Sequence, residues 1–154
     1  MKKILIAVSI ISLFAAACNN SGKKETNSTG LGATADSLEK IIDAGHNTAM
    51  SKMGKLGAIK NAVQAALDSI AKLPAKAQEV AAPYKAKLQS VFTDIQTAES
   101  NMEKWMTEYN WDSAKDNLEA RVKYLTQEKM KVSDVKDAVL NSLQKADSVL
   151  KSKF

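Results

Sequence analysis

The sequence predicts an all-α fold, an elongated antiparallel three-helix bundle with coiled-coil-like packing, behind an export segment and a disordered tether. Three observations carry this expectation. Apolar residues return at close to seven-residue spacing through three long stretches, the pattern of helices whose seams pack at a shallow angle. Pro74 and the stretch from Asn110 to Ser113 interrupt the pattern, and short connections oblige neighbouring helices to run antiparallel. No segment alternates as a strand does, and no glycine-rich phosphate loop is present.

The N-terminus comes first. Lys2 and Lys3 precede an apolar run, Ile4 to Ala17, that is broken by Ser9 and Ser12 and ends in Ala15, Ala16 and Ala17. That is the layout of a secretory signal, and the run is too short to span a bilayer stably. Cys18, the only cysteine, follows directly. The Ala-Ala-Ala-Cys run looks like a lipobox, although Ala15 stands where leucine is commoner. Residues 1–17 are therefore expected to be a lipoprotein signal peptide. Residues 18–33 are expected to be a lipidated cysteine and a flexible linker, because Asn19 to Gly32 is almost wholly polar or glycine. Acyl chains on Cys18, at about 0.8 kcal/mol per buried methylene, hold a protein to a membrane without further hydrophobic surface.

Residues 34–154 are expected to be the bundle. The first seam reads Leu38, Ile42, Gly45, Ala49, Met53, Leu56, Val63, Leu67 and Ile70, with Thr34 or Asp36 as cap. The second reads Leu88, Val91, Ile95, Ala98, Met102, Trp105 and Tyr109, with Phe92 and Met106 beside it. Pro83 either begins this helix or kinks it about two turns in. The third reads Leu118, Val122, Leu125, Val132, Val139, Leu143, Ala146 and Leu150, capped by Ser113 with Asp116. Helices of roughly 35 to 40 residues would make a rod on the order of 55 Å long. Gly45 on the seam would permit close helix approach, whereas Gly54 and Gly57 suggest a flexible or kinked turn. Trp105 is expected to be buried; Trp111 is open to either burial or exposure.

Composition excludes several function classes. The net charge is +5 and falls to about +3 once Lys2 and Lys3 are removed with the signal. Arg121 is the only arginine, so the clustered arginine and stacking aromatics of a nucleic-acid binder are missing. No cysteine follows Cys18, which rules out an internal disulfide or thiolate metal site. One histidine and no free thiol leave no nucleophile–base–orienter set, so the chain is not expected to be an enzyme.

One constellation could carry chemistry. His46, Met50 and Met53 are spaced by four and three residues, which puts them on one stripe of the first helix. An antiparallel second helix could bring Met102 and Met106 across from it. Imidazole with thioether suits Cu(I), and a His/Met pair is also a haem axial set. The competing reading makes Met102 and Met106 core residues at the centre of their apolar face, with His46 and Met50 on the flank of the first seam.

The stretches HNTAMSKMGKL (46–56), MEKWMTEY (102–109) and YLTQEKMKVSDVKDAVLNSLQKA (124–146) resemble, in that order, small helical lipoproteins of Bacteroidota described as viral A-type inclusion protein repeat-like. His46, Met50, Met53 and Gly54 match the first motif of that family. Met102, Trp105 and Met106 match the second, but Glu103 stands where a second histidine belongs, which weakens a shared metal site. The resemblance implies a fold and a location rather than an activity: an envelope lipoprotein serving as helical scaffold or interaction module, with an envelope protein as partner. Surface-exported lipoproteins of that phylum carry acids just after the acylated cysteine. Here Asn19 to Lys24 contains none, so an outer-membrane anchor facing the periplasm is expected. The phylum's Asp-Ser/Thr-apolar O-glycosylation sequon occurs at Ser37, Ser69, Ser113 and Ser148, where chance predicts about one. Each is expected near a helix end, where a glycan can face solvent.

Overall fold

A computed structural model describes residues 22–152, with side chains from Thr29 onward. Among them the chain is entirely helix and connection: α1 (Gly22–Ala71), α2 (Ala75–Glu108) and α3 (Leu118–Lys151), each packed against the other two. The expected signal peptide and the acylated Cys18 lie outside the described residues. No helix among those described is long and apolar enough to cross a membrane.

The seams keep a strict heptad step. Ala35, Ile42, Ala49, Leu56, Val63 and Ile70 are buried along α1. Ala81, Leu88, Ile95 and Met102, then Tyr109 just past the helix end, are buried along the α2 seam. Leu125, Val132, Val139 and Ala146 are buried on α3. A repeat of seven keeps one stripe of each helix facing its neighbours over its whole length. Gly45 faces α3 so closely that a Cβ there would sit 3.3 Å from Val132 Cγ1, which is the close approach its seam position implied. Gly54 and Gly57 meet nothing within 4 Å, and α1 runs unbroken through both.

Several boundaries differ from expectation. Thr34 and Asp36 do not cap α1, because the helix already begins at Gly22 and the Thr34 hydroxyl donates back to the Gly30 carbonyl at 2.9 Å. The first turns of α1 thus run through the stretch expected as linker, while buried packing begins at Ala35. Pro74 ends the first connection and precedes α2, leaving Pro83 inside the helix. Ser113 and Asp116 do not cap α3. Asn117 does, its side chain accepting from the Ala120 N–H at 3.0 Å. The six residues before it form a turn in which Ala114 takes φ 56°, a left-handed conformation uncommon for a residue with a Cβ.

The interior also contains side chains that an apolar count passes over. Arg121, Glu128 and Ser142 are buried, and with Val135 they occupy one heptad position of α3. The Arg121 guanidinium donates from Nε (3.2 Å) and Nη2 (2.6 Å) to Glu39 Oε1, and from Nη1 (2.8 Å) to the Ser113 carbonyl. One side chain therefore joins α1, α3 and the α2–α3 connection. Glu128 accepts from Trp105 Nε1 at 3.1 Å and from Lys131 Nζ at 2.8 Å. That hydrogen bond raises the Lys131 ammonium above its ordinary pKa. Polar groups at seam positions hold register, since a slip would leave them buried without partners.

Candidate functional site

Near the end of the bundle that carries the α2–α3 connection, α1 and α2 enclose a cavity of about 320 Å³, lined by Asp43, His46, Asn47, Trp105, Met106, Tyr109 and Trp111. The local causes are readable in the chain. Asp43, His46 and Asn47 recur at steps of three, four and one on α1 and so share its flank. Trp105 and Tyr109, one turn apart, close the last turn of α2, where the Tyr109 N–H bonds the Trp105 carbonyl at 2.9 Å. Trp111 follows in the connection.

The rings form a continuous run. His46 lies against Trp105 with centroids 5.5 Å apart, and Trp105 stacks on Tyr109 at 5.1 Å and 19°. Tyr109 meets Trp111 edge-on at 4.9 Å and 68°, and Tyr124 lies parallel to it at 6.2 Å. The Tyr124 hydroxyl accepts from the Asn110 N–H at 2.7 Å, which fixes the start of the connection. Trp105 is buried, whereas Trp111 is 58% exposed at the mouth. The Tyr109 hydroxyl is buried with no hydrogen-bond partner among the described residues. Burial pushes its pKa up to about 12, with Arg121 pulling the other way.

The predicted metal residues are only partly brought together. His46 and Met106 line the same cavity, but Met106 is 43% exposed rather than a core residue. Its seam neighbours Met102, Trp105 and Tyr109 define the buried face, and Met106 lies one position beyond it. Met102 is fully buried in the core, Met53 packs on the core's edge, and Met50 is exposed. No cluster of three or more His, Cys, Asp or Glu occurs among the described residues. A metal site here would rest on His46 and thioether sulfur.

Of the glycosylation candidates, Ser69, Ser113 and Ser148 lie near helix ends as expected, and Ser37 does not. Ser37, Ser69 and Ser148 are exposed, and Ser113 is half-buried in the α2–α3 connection. Ser37 lies inside α1 rather than at a helix end, its hydroxyl donating to the Ala33 carbonyl at 2.8 Å. The neighbouring aspartates have local partners. Asp147 pairs with Lys151 and Asp112 with Lys115, hydrogen bonds that hold both carboxyls below the usual aspartate range. Asp68 accepts from Gln64 at 2.8 Å.

Two larger grooves, of about 460 and 430 Å³, lie towards the other end, between α3 and α1 and between α3 and α2. They are more open than the aromatic cavity, and each carries lysines: Lys52, Lys55 and Lys151 in one, Lys87 and Lys145 in the other. Fold and cavity together define a three-helix bundle with an aromatic pocket near one end. Neither protein-family models, curated proteins nor solved structures gave a match to this chain.

Proposed function

We propose that this chain is a lipid-anchored module of the cell envelope, a non-catalytic helical scaffold that presents a binding surface. The observation that supports it is the use the fold makes of its buried charge. Arg121 and Glu128 bind Glu39, Ser113, Trp105 and Lys131, all within the bundle, so these groups serve register rather than a reaction. The anchor is Cys18, in an outer membrane and facing the periplasm. Metabolic labelling with an alkynyl fatty acid tests it: the wild-type chain takes label and fractionates with membranes, and Cys18→Ser loses both. Label retained in Cys18→Ser, or degradation of the bundle by protease added to intact cells, goes against the anchor or its sidedness. Crosslinking in the native host then names the envelope protein it touches.

A second reading, Cu(I) handling, is favoured by one juxtaposition. His46 and Met106 share a cavity in which the imidazole lies 5.5 Å from the Trp105 ring, and imidazole with thioether is a Cu(I) donor set. Competition with a Cu(I) chelator measures it. Stoichiometric binding that disappears in His46→Ala and in Met106→Leu supports the reading, and binding indifferent to both ends it.

A further inference from the structure

We propose that the aromatic pocket binds an organic ammonium, a quaternary or protonated amine held against the exposed Trp111 ring at its mouth and balanced by the Asp43 carboxylate. The pocket's charge is the first argument. The chain carries 22 lysines and arginines, and lysines line both larger grooves. Neither residue type lines this cavity, whose one carboxylate is that of Asp43. Asp43 forms no salt bridge among the described residues, whereas Glu39, one turn earlier on α1, is neutralised by Arg121. The cavity is a locally negative recess in a positive protein.

Ring geometry is the second. A cation is drawn to the face of an aromatic ring, most strongly to tryptophan, and best where several rings meet at an angle. Trp105 and Tyr109 are nearly parallel at 19°, and Trp111 stands at 68° to Tyr109. Stacking covers the faces of Trp105 and Tyr109, so the ring left open to a cation is that of Trp111, with Asp43, His46 and Asn47 on the α1 side. A volume of about 320 Å³ holds a small head group such as choline but not a cofactor-sized molecule. The third is Trp111 itself, 58% exposed beside a buried tryptophan and tyrosine. Covering such a ring gains affinity without rebuilding the core.

This proposal goes beyond the scaffold reading and separates from the copper one, because it requires Asp43 and Trp111 and needs no metal. Trp105 and Trp111 are the only tryptophans, so fluorescence excited selectively at tryptophan reports on the pocket alone. The full chain, in a maltoside detergent that has no ammonium head group, is titrated with choline and with its uncharged isostere 3,3-dimethylbutanol. The expected result is a saturable change with choline at least about tenfold tighter than with the isostere. Asp43→Asn and Trp111→Ala should each weaken binding about fivefold, one cation–π or ionic contact's worth. Met50→Leu, outside the cavity lining, should leave it unchanged. Both altered side chains are exposed, and the helical signal at 222 nm checks that the variants fold. Vesicles of a choline lipid form a parallel arm: a response to vesicles alone assigns the pocket to a lipid head group, and a response to free choline assigns it to a soluble amine. Equal affinity for choline and the isostere, insensitivity to Asp43→Asn, or no response in either arm overturns the proposal.

Discussion

Removing Glu39 should damage this bundle more than removing Arg121, although the two form one pair. The reason is unequal access to water: the Arg121 side chain is 6% exposed and that of Glu39 is 36% exposed. Without the arginine, water reaches the carboxylate, and the losses are a charged hydrogen-bonded contact and the Ser113 carbonyl's partner. Without the glutamate, a guanidinium is left in the seam with only that carbonyl to bind. Breaking a buried ion pair from one side costs about 3–5 kcal/mol. Partial exposure of Glu39 discounts this, which places Glu39→Ala near 3 kcal/mol and Arg121→Met, which keeps most of the stem's packing, at about 1–2 kcal/mol. With a urea m-value of about 1–3 kcal/mol/M, the midpoints of unfolding followed at 222 nm should fall visibly and in that order. The double variant should lose less than the sum of the singles, by roughly 1–2 kcal/mol of coupling. Arg121→Met as damaging as Glu39→Ala, or additive losses, would refute the reasoning.

Further outcomes follow from backbone and titration. Gly54→Ala should stabilise by about 0.5–1 kcal/mol, because a Cβ there meets nothing and glycine is the poorer helix former. Gly45→Ala should gain less than Gly54→Ala, and the shortfall should vanish when its effect is measured against a Val132→Ala parent; equal gains in urea melts would show that the α1–α3 approach is loose. Pro83→Ala should stabilise by about 1–3 kcal/mol, since the proline is exposed and inside α2, where it removes a helical N–H; an unchanged or lowered midpoint would count against this. The Tyr109 phenol, raised to about 12 from 10.0 by burial, keeps its proton in the folded state. Its contribution is therefore complete below pH 10 and is lost as pH climbs from 10 towards 12. The tyrosinate absorbance of wild type minus Tyr109→Phe should show that late titration, and a midpoint at 10 would contradict burial.

The apolar seams were legible because they repeat locally: Ile42, Ala49, Leu56 and Val63 declare a heptad without knowledge of any partner. Gly45 was legible for the same reason, a small residue on a seam. Arg121 and Glu128 were not, because an apolar count passes over charged residues even when they fall in register with Val135. The signal was their spacing, and its meaning depended on Glu39 and Trp105, distant in sequence. Met106 failed in the opposite way. An apolar residue next to Trp105 reads as core, but the face is set by Met102, Trp105 and Tyr109, and one step of 100° carries Met106 out of it. Asn117 displaced Ser113 and Asp116 as cap because the turn at Ala114 delays the helix. The aromatic pocket draws on both α1 and the α2–α3 connection, so no single stretch of sequence displayed it.

The early start of α1 has a mechanical meaning. Between Gly22 and Ala35 the helix runs on ahead of its buried seam, a length of about 20 Å at 1.5 Å per residue. A flexible chain of the same residues has a root-mean-square span of about 20 Å as well, so the helix adds no mean reach. What it removes is variance. With acyl chains on Cys18 as proposed, a limp tether would let the pocket sample every altitude from the lipid surface outward. On such an anchor the helical stalk would put His46 about 36 Å along the axis from Gly22, so that anything gripped there would be met within a narrower band of heights.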